Sequence, residues 1–334
     1  MSANEYLTLS DFQQRTPSLL KKGVIQCFRK ESVFLDKCKI ITTGTMHVKN
    51  ARSGSMSKIG TRKVGEPRPI VMHQKPDIVE DAMYVYSNKI QTPTQRVDFK
   101  DPALLYDPMA WNIEATIKSM ARQVTSDMIN NTPTINPDAP TGLRYRVDKD
   151  LKPDQKIPAS GINGTPLDLD PAGANYQQNI RQFKRILDIA KSQCAETPDF
   201  ILCNNNFINM QSSIWADSNY LKTTEDSLHR VFVDWDGVQY LDMGYEYDDE
   251  TKVIKDYENA NGEDGTEGTD KCTSIYLVTM GEEFWTMVQA EEMQTTDMHK
   301  DADNINYVVD FDWEIGQIIT HPRSVVRLYG LKMQ

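Results

Sequence analysis

Apolar side chains recur at helical spacing in two long stretches of the chain. Between residues 107 and 130 they follow one another every three or four positions, and Asp107 with Pro108 provides an N-cap and a first-turn proline. At ~1.5 Å per residue this helix would be about 35 Å long. The same spacing predicts a second long helix over 173–195 and a shorter one from Leu19 to Phe28.

Period-two alternation predicts strands elsewhere. It is clearest from Tyr307 to Ile315, where every second residue is apolar and the intervening positions include Asp310 and Asp312. Asp236-Gly237 between two apolar runs predicts a two-residue hairpin turn. Because helices and strands do not alternate regularly, the predicted fold class is α+β. Further strands are predicted over 83–90, 94–99, 199–204, 273–280 and 324–331.

Three stretches lack such patterns. Residues 46–82 are polar and basic, and the stretch is predicted to be able to form strands but not to bury a face. An isolated two-stranded ribbon is marginal in water, so the stretch is either disordered or lies against another surface. Residues 132–172 contain seven prolines and are predicted to be loop. Residues 246–270 are acidic and are predicted to form an exposed loop that contributes nothing to a core.

Charge is segregated along the sequence. Residues 1–100 carry 17 Lys and Arg against 9 Asp and Glu, whereas residues 101–334 carry 20 against 39. The overall net charge of −11 is therefore the sum of two opposite fields. A basic arm on an acidic body suits copies that hold one another, because complementary potentials steer association.

Composition excludes several classes of protein. No run of apolar residues approaches the ~18 needed to span a membrane, and the first residues lack the positive charge and apolar core of a signal peptide. The five cysteines are scattered without a C-x-x-C pair, so neither a disulfide framework nor a zinc site is predicted. Reduced thiols in a cytoplasmic compartment are the simplest interpretation.

Candidate chemistry is sparse. One cluster of carboxylates invites a metal site, although it does not match a calcium loop and a solvated acidic surface explains it better. Asp310 and Asp312 share a strand face, as paired acid and base groups would, but the solvent side of an amphipathic strand already accounts for them. No catalytic, cofactor-binding or metal-binding residue is nominated. The carboxylate cluster considered above as a metal site consists of Asp234, Asp236, Asp248, Asp249 and Glu250.

The order of these parts resembles the tailed-phage major capsid proteins of the Hong Kong 97 type. The resemblance covers nearly the whole chain and depends on its architecture and on two phrases, LLKKGVIQCF leading into ESVFLD and the closing strand followed by HPRSVVRLYGL. It implies a Hong Kong 97-type α+β fold. The implied parts are an N-terminal arm at 1–45, an extended loop at 46–82, a first part of the peripheral domain at 83–134 with the spine helix at 107–130, an axial domain at 135–302, and peripheral return strands at 303–334.

The resemblance also implies a function. The chain would be a non-enzymatic structural subunit that assembles as pentamers and hexamers into an icosahedral head enclosing double-stranded DNA, in a virion capsid built in the host cytoplasm. Implied partners are identical subunits, scaffolding and portal proteins, and packaged DNA through non-specific contacts, with no membrane and no cofactor. Some members of this family form a covalent cross-link between a loop lysine and an asparagine of a neighbouring subunit. No such cross-link is predicted here, since no feature distinguishes one loop lysine from the others.

The extended loop then supplies candidate contacts between subunits. Its basic residues would face the acidic surface of a neighbouring copy, as the charge segregation suggests. Two alternatives stay open: a metal-dependent hydrolase using the acidic cluster near 234–250, and a module that binds nucleic acid through the basic segment. The candidate contact residues are Lys49, Arg52, Lys58, Arg62, Lys63 and Arg68.

Overall fold

The structure is a computed structural model that describes residues 7–16, 18–52, 61–68, 77–98, 107–162, 164–215 and 221–333. The helices of these residues are α1 (Leu9–Arg15), α2 (Leu19–Glu31), α3 (Val33–Lys37), α4 (Thr94–Asp98), α5 (Pro108–Asn130), α6 (Leu143–Lys149), α7 (Tyr176–Gln193) and α8 (Asn205–Trp215). None of the described helices is long and apolar enough to cross a membrane.

The strands are β1 (Ile40–Thr42), β2 (His47–Arg52), β3 (Asp77–Ala82), β4 (Tyr84–Pro93), β5 (Lys156–Pro158), β6 (Leu167–Asp168), β7 (Phe200–Cys203), β8 (Leu221–Glu225), β9 (Val231–Trp235), β10 (Val238–Asp242), β11 (Cys272–Val278), β12 (Trp285–Gln289), β13 (Gln294–Thr295), β14 (His299–Lys300), β15 (Asn306–Ile319) and β16 (Val325–Lys332). The α+β class is confirmed.

The predicted long helices are confirmed as α5 and α7. Asp107 caps α5, because its Oδ1 accepts a hydrogen bond from the Met109 amide at 2.9 Å. Two local predictions were wrong. Residues 94–98 form α4 rather than a strand, and the proline-rich stretch contains α6, which buries Leu143 and Val147 one turn apart.

A six-stranded sheet, built from strands of both ends of the sequence, forms the centre of one half of the molecule. β15 is its hub: it pairs with β4 along ten residues and with β12, which in turn pairs with β1. The apolar side of β15 packs beneath α2 and α5, where Phe28 meets Trp313 edge to face at 5.5 Å between ring centroids. The predicted half-buried strand is therefore confirmed: the apolar residues at every second position of β15 face the core.

An eight-stranded sheet forms the centre of the other half of the molecule. Its strand order is β5-β16-β11-β7-β10-β9-β8, and β6 also pairs with β16. Its central strand β11 is buried on both faces. One face packs against α7 and α8 through Phe183, Phe207 and Tyr240. The predicted hairpin turn is confirmed, with φ of 48° at Asp236 and 81° at Gly237 as a type I′ turn requires.

The two C-terminal strands lie in different sheets. The expectation for 303–334 places both in the peripheral domain, but β15 belongs to the six-stranded sheet and β16 pairs with β11 in the eight-stranded one. Conversely, β12 lies inside the range expected for the axial domain, 135–302, yet pairs with β15. Strand pairing over long sequence distances decides this division, and periodicity along the chain carries no information about it.

The acidic stretch 246–270 does contribute to the core, contrary to the prediction. Val253 and Ile254 are buried in the same hydrophobic cluster as α5, and Asn130 Nδ2 donates to the Val253 carbonyl at 2.6 Å. Glu258 is 3% exposed. The stretch is thus an irregular segment anchored by a few inward residues within a polar surface.

Candidate assembly surface

β2 and β3 form a separate two-stranded antiparallel ribbon, which we call the ribbon. It lies within the stretch that was predicted to form strands but not to bury a face, and the second part of that prediction is wrong. One of its faces does pack on its own subunit: Val48 and Val79 contact a cluster of Met83, Val288, Ala290 and Ile318. A few apolar residues at its base therefore hold the ribbon on the six-stranded sheet.

Close backbone approach and hydrogen bonding hold the ribbon on β15. A Cβ placed on Gly316 would lie 2.9 Å from the Ala82 carbonyl oxygen, so only glycine lets the ribbon cross β15 at this point. Further along, Asn50 Nδ2 donates to Thr320 Oγ1 at 3.0 Å. The ribbon thus runs over β15 from Gly316 towards Thr320.

A buried ion pair fixes β3 to α6. The guanidinium of Arg146 donates to both carboxylate oxygens of Asp81, at 2.5 and 3.1 Å, and its Nε donates to the Thr141 carbonyl at 3.0 Å. Bidentate pairing of this kind fixes geometry as well as charge. Sequence reasoning missed this contact because Arg146 lies in the stretch predicted to be loop.

The six candidate contact residues do not form one cluster. Lys49 pairs with Glu80 across the ribbon at 3.0 Å, so part of its charge is balanced within its own subunit. Arg52 lies at the end of β2, and Lys58 falls outside the described residues. Their role as contacts between subunits stays a prediction. The other three candidates are exposed and lie in the described segment 61–68: Arg62, Lys63 and Arg68.

The segment 61–68 has local order of its own. Arg62 donates to the Glu66 carbonyl at 2.6 Å, and the Lys63 amide donates to the Glu66 carboxylate at 3.0 Å. Val64 in the same segment is fully exposed. A turn that presents three cations to solvent is complementary in charge to a negatively charged partner surface.

The N-terminal helices are tied to the eight-stranded sheet by a charged cluster, which we call the clasp, formed by Arg29, Asp36, Asp226 and Arg230. Arg29 donates to Asp36 at 2.6 Å, and Arg230 bonds both Asp36 and Asp226. Arg230 also donates to the Arg29 carbonyl at 2.9 Å. The arm is therefore docked on its own subunit through α2 and α3.

The clasp should weaken in acid. Burial alone would raise the pKa of Asp226, but hydrogen bonds from the Arg230 side chain and from the Arg230 and Leu228 amides outweigh it and leave the pKa lowered. A lowered pKa in the folded state gives stability that is present above the unfolded value, about 3.9, and is lost as the pH falls. Pepsin cleavage within residues 19–37 should therefore increase steeply below about pH 4.

Asp226→Asn should loosen the same helices at pH 7, where trypsin cleavage reports it, while the exposed Asp188→Asn should leave the cleavage pattern unchanged. Protection of residues 19–37 that persists to about pH 2 would contradict this role for the clasp.

The acidic cluster predicted near 234–250 is dispersed. Asp236 pairs with Lys191 at 2.8 Å, Asp249 with Arg122 at 2.7 Å, and Asp248 accepts hydrogen bonds from Thr251 within its own turn. Asp234 is largely buried and bonded by Thr224, and burial raises its pKa. In the part of the chain that the structure describes, no group of three or more His, Cys, Asp or Glu side chains is arranged to hold a metal ion.

Sequence reasoning also missed a buried charge network around Arg327. This side chain is fully buried, and it donates to Glu258 at 3.1 Å, to the Gly262 carbonyl at 2.5 Å and to Ser274 Oγ at 3.2 Å. Asp148 Oδ2 lies 3.6 Å from Nη1 of the same arginine. The available signal was a lone arginine inside the apolar run SVVRLYGL. The network closes the acidic stretch over β11 and β16.

The fold of this chain is shared with proteins of known structure. No family model matches the chain, and no curated protein matches it. Solved structures do match, among them an encapsulin complex from Synechococcus elongatus, with a TM-score of 0.55 at 12% identity over 99% of this chain and 93% of that one. Microbacterium phage Oxtober96 matches with a TM-score of 0.56 at 9% identity over 90% of both chains.

The capsid of an empty GTA particle matches with a TM-score of 0.55 at 10% identity over 87% of both chains. Similarity at these identities is similarity of fold, and it extends over nearly the whole chain. The structure therefore confirms the resemblance inferred from the sequence: this chain has the Hong Kong 97-type fold found in phage capsids and encapsulins.

Proposed function

We propose that this chain is a structural major capsid protein that assembles with identical copies into a closed icosahedral shell, as pentamers and hexamers, around double-stranded DNA. The observation that carries the proposal is the match of nearly the full chain to subunits of phage and GTA capsids. The shell would be the head of a virion assembled in the host cytoplasm, with scaffolding and portal proteins as further partners.

The ribbon supports self-association. It packs on the six-stranded sheet of its own subunit, and the described segment 61–68 beyond it is exposed and carries three cations and a fully exposed valine. Exposed cations of this kind are complementary to a negatively charged surface of another copy. A head-to-tail arrangement, in which each copy gives its segment 61–68 to one neighbour and receives that of another, generates rings where the rotation closes. On this proposal the basic residues named above contact neighbouring subunits.

The arm, extended loop and spine helix have the roles that the resemblance implies, and on this proposal the axial domain is the part around the eight-stranded sheet with β16, and the peripheral domain the part around the six-stranded sheet with β12. The spine helix is α5, which ties several parts together: Arg122 pairs with Glu31 of α2 at 2.5 Å, and Asp127 accepts from Tyr86 of β4 at 2.8 Å. A rigid helix bonded to both the arm and the sheet would pass load between them.

The experiment is assembly of the purified chain, alone and with a candidate scaffolding protein, followed by sizing and negative-stain electron microscopy. Closed shells of uniform diameter are expected. Monomers under both conditions would count against the proposal, and bound metal with hydrolytic activity lost in Asp234→Asn would favour the metal-dependent hydrolase. Steeply salt-dependent DNA binding by the free subunit would favour the nucleic-acid module.

A further inference from the structure

One face of β15 has two different halves. Side chains at every second position of a strand share a face, so Asp310, Asp312 and Glu314 lie on the same side as Gly316 and Ile318. The half at Gly316 and Ile318 is covered by the ribbon of the same subunit. The other half carries the three carboxylates, which we call the acidic row. At ~3.3 Å per residue the row spans about 13 Å.

The acidic row lies open on its own subunit. None of its three carboxylates forms a salt bridge with another described residue, and Asp312 is exposed. The register places Ser87 and Val85 of β4 beside Asp312 and Glu314, and Lys89 beside Asp310. Ser87, Val85 and Lys89 are all exposed. The surface is therefore a flat, net negative sheet face with one exposed valine.

The subunit's own ribbon leads away from this surface. Ala82 crosses at Gly316 and Asn50 bonds Thr320, so the ribbon proceeds from Gly316 towards Thr320, whereas the acidic row continues from Gly316 in the opposite direction. Arg52, the last residue of β2, therefore lies at the end of the ribbon that is farther from the acidic row. A second copy, rather than the same chain, is the natural source of a segment for the row.

The segment 61–68 complements the acidic row in charge and size. It carries Arg62, Lys63 and Arg68 against one acid, Glu66, with Val64 fully exposed between them. The three cations of the segment match the three carboxylates of the row in number, and both surfaces expose one valine, Val64 and Val85. Matching charge fixes the register of a contact and suppresses wrong pairings.

We propose that the acidic row of one copy receives the segment 61–68 of a second copy, so that Asp310, Asp312 and Glu314 pair with its three cations. This inference rests on the proposed function, since it names the acceptor surface of the self-association. Because the donor segment and the acceptor row are two different surfaces of the same chain, the contact is heterologous and can be repeated from copy to copy.

The test is a charge exchange. One variant carries Arg62→Glu, Lys63→Glu and Arg68→Glu, a second carries Asp310→Lys, Asp312→Lys and Glu314→Lys, and a third combines both sets. Each reversed set alone is expected to raise the protein concentration needed for shells about ten-fold or more, since several repeated ion pairs become repulsive. The combined variant is expected to recover assembly.

The control reverses three exposed acids elsewhere, Asp154, Glu196 and Glu250. This control variant should change the protein concentration needed for shells less than the variant with the reversed acidic row does. Circular dichroism must show every variant folded, and where the lysine set fails to fold, Asp310→Asn with Asp312→Asn and Glu314→Gln replaces it and should weaken assembly in the same direction. Assembly of the native chain should also weaken with salt, because exposed charge pairs are screened.

The outcomes separate this inference from the proposed function. A native chain that never forms shells overturns both. A native chain that assembles together with a row-reversed variant that assembles equally well overturns the acidic row alone. The acidic row is also overturned if the combined variant fails although each folded set is defective, because specific pairing then has no support. If the variant with Arg62→Glu, Lys63→Glu and Arg68→Glu still forms shells but no longer retains DNA, the three cations bind DNA instead of the acidic row.

Discussion

Removal of residues 53–76, with Arg52 joined to Asp77 through an Asn-Gly turn, is expected to abolish shell formation and to leave the subunit folded. Arg52 and Asp77 are paired directly in the ribbon, so a two-residue turn closes the shortened hairpin without changing its register. The ribbon base, with Val48, Val79 and the Arg146 to Asp81 pair, stays in place. Only the part that would reach another copy is lost.

The matched comparison is deletion of the whole stretch 46–82. This larger deletion strips Asp81 from the buried Arg146 and uncovers the cluster around Met83, so we expect it to lower the free energy of unfolding by about 3–5 kcal/mol. The short deletion should shift stability by less than about 1 kcal/mol. Shells of normal size from the short deletion, seen by negative-stain electron microscopy, would show that the segment is dispensable for assembly.

Replacing Arg327 by methionine is expected to lower the free energy of unfolding by about 3–5 kcal/mol, since it leaves the carboxylate of Glu258 buried without its cation. Methionine fills much of the same volume, so the loss reports the charge and its hydrogen bonds rather than a cavity. Urea denaturation followed by circular dichroism measures it. The exposed Arg323→Met is the control and should change stability by about 0.5 kcal/mol or less.

The same variant should show a characteristic dependence on pH. Burial raises the pKa of Glu258, and Arg327 opposes that effect. Without the guanidinium the pKa should rise further. A raised pKa in the folded state gives stability that is present at low pH and lost as the pH rises through it. The deficit of Arg327→Met should thus shrink as the pH falls from about 8 to about 5.

The double variant with Glu258→Gln should recover part of the lost stability, because no buried charge remains. A stability deficit that is the same at every pH and in the double variant would mean that packing, and not the charge, makes Arg327 important.

Local elements of the fold were predictable from the sequence where a single pattern decides them. The alternation in β15, the capped start of α5 and the Asp-Gly turn each depend on neighbouring residues. α6 was missed because flanking prolines dominate the local pattern, although Leu143 and Val147 have helical spacing. Val253 and Ile254 were missed because two apolar residues in an acidic stretch carry no period.

The candidate surface was predictable only in part. Composition correctly predicts that residues 46–82 can form strands, and β2 and β3 confirm it. It does not predict that Lys49 has a partner in Glu80 of its own ribbon, because that contact depends on strand register. Nor does it distinguish Asp310 and Asp312 from any other solvent-facing acids, since the direction of the ribbon over β15 appears only in three dimensions.

The placement of β15 and β16 has a consequence for biosynthesis. Each strand is an inner strand of its sheet, and both follow every other described element in sequence. While the ribosome is still making residues before 306, β4 and β12 lack the strand between them and β11 lacks one neighbour. Neither half of the molecule can complete its core until translation has passed residue 332. A nascent chain therefore cannot present a finished surface to its neighbours, which delays association until synthesis of these strands is over.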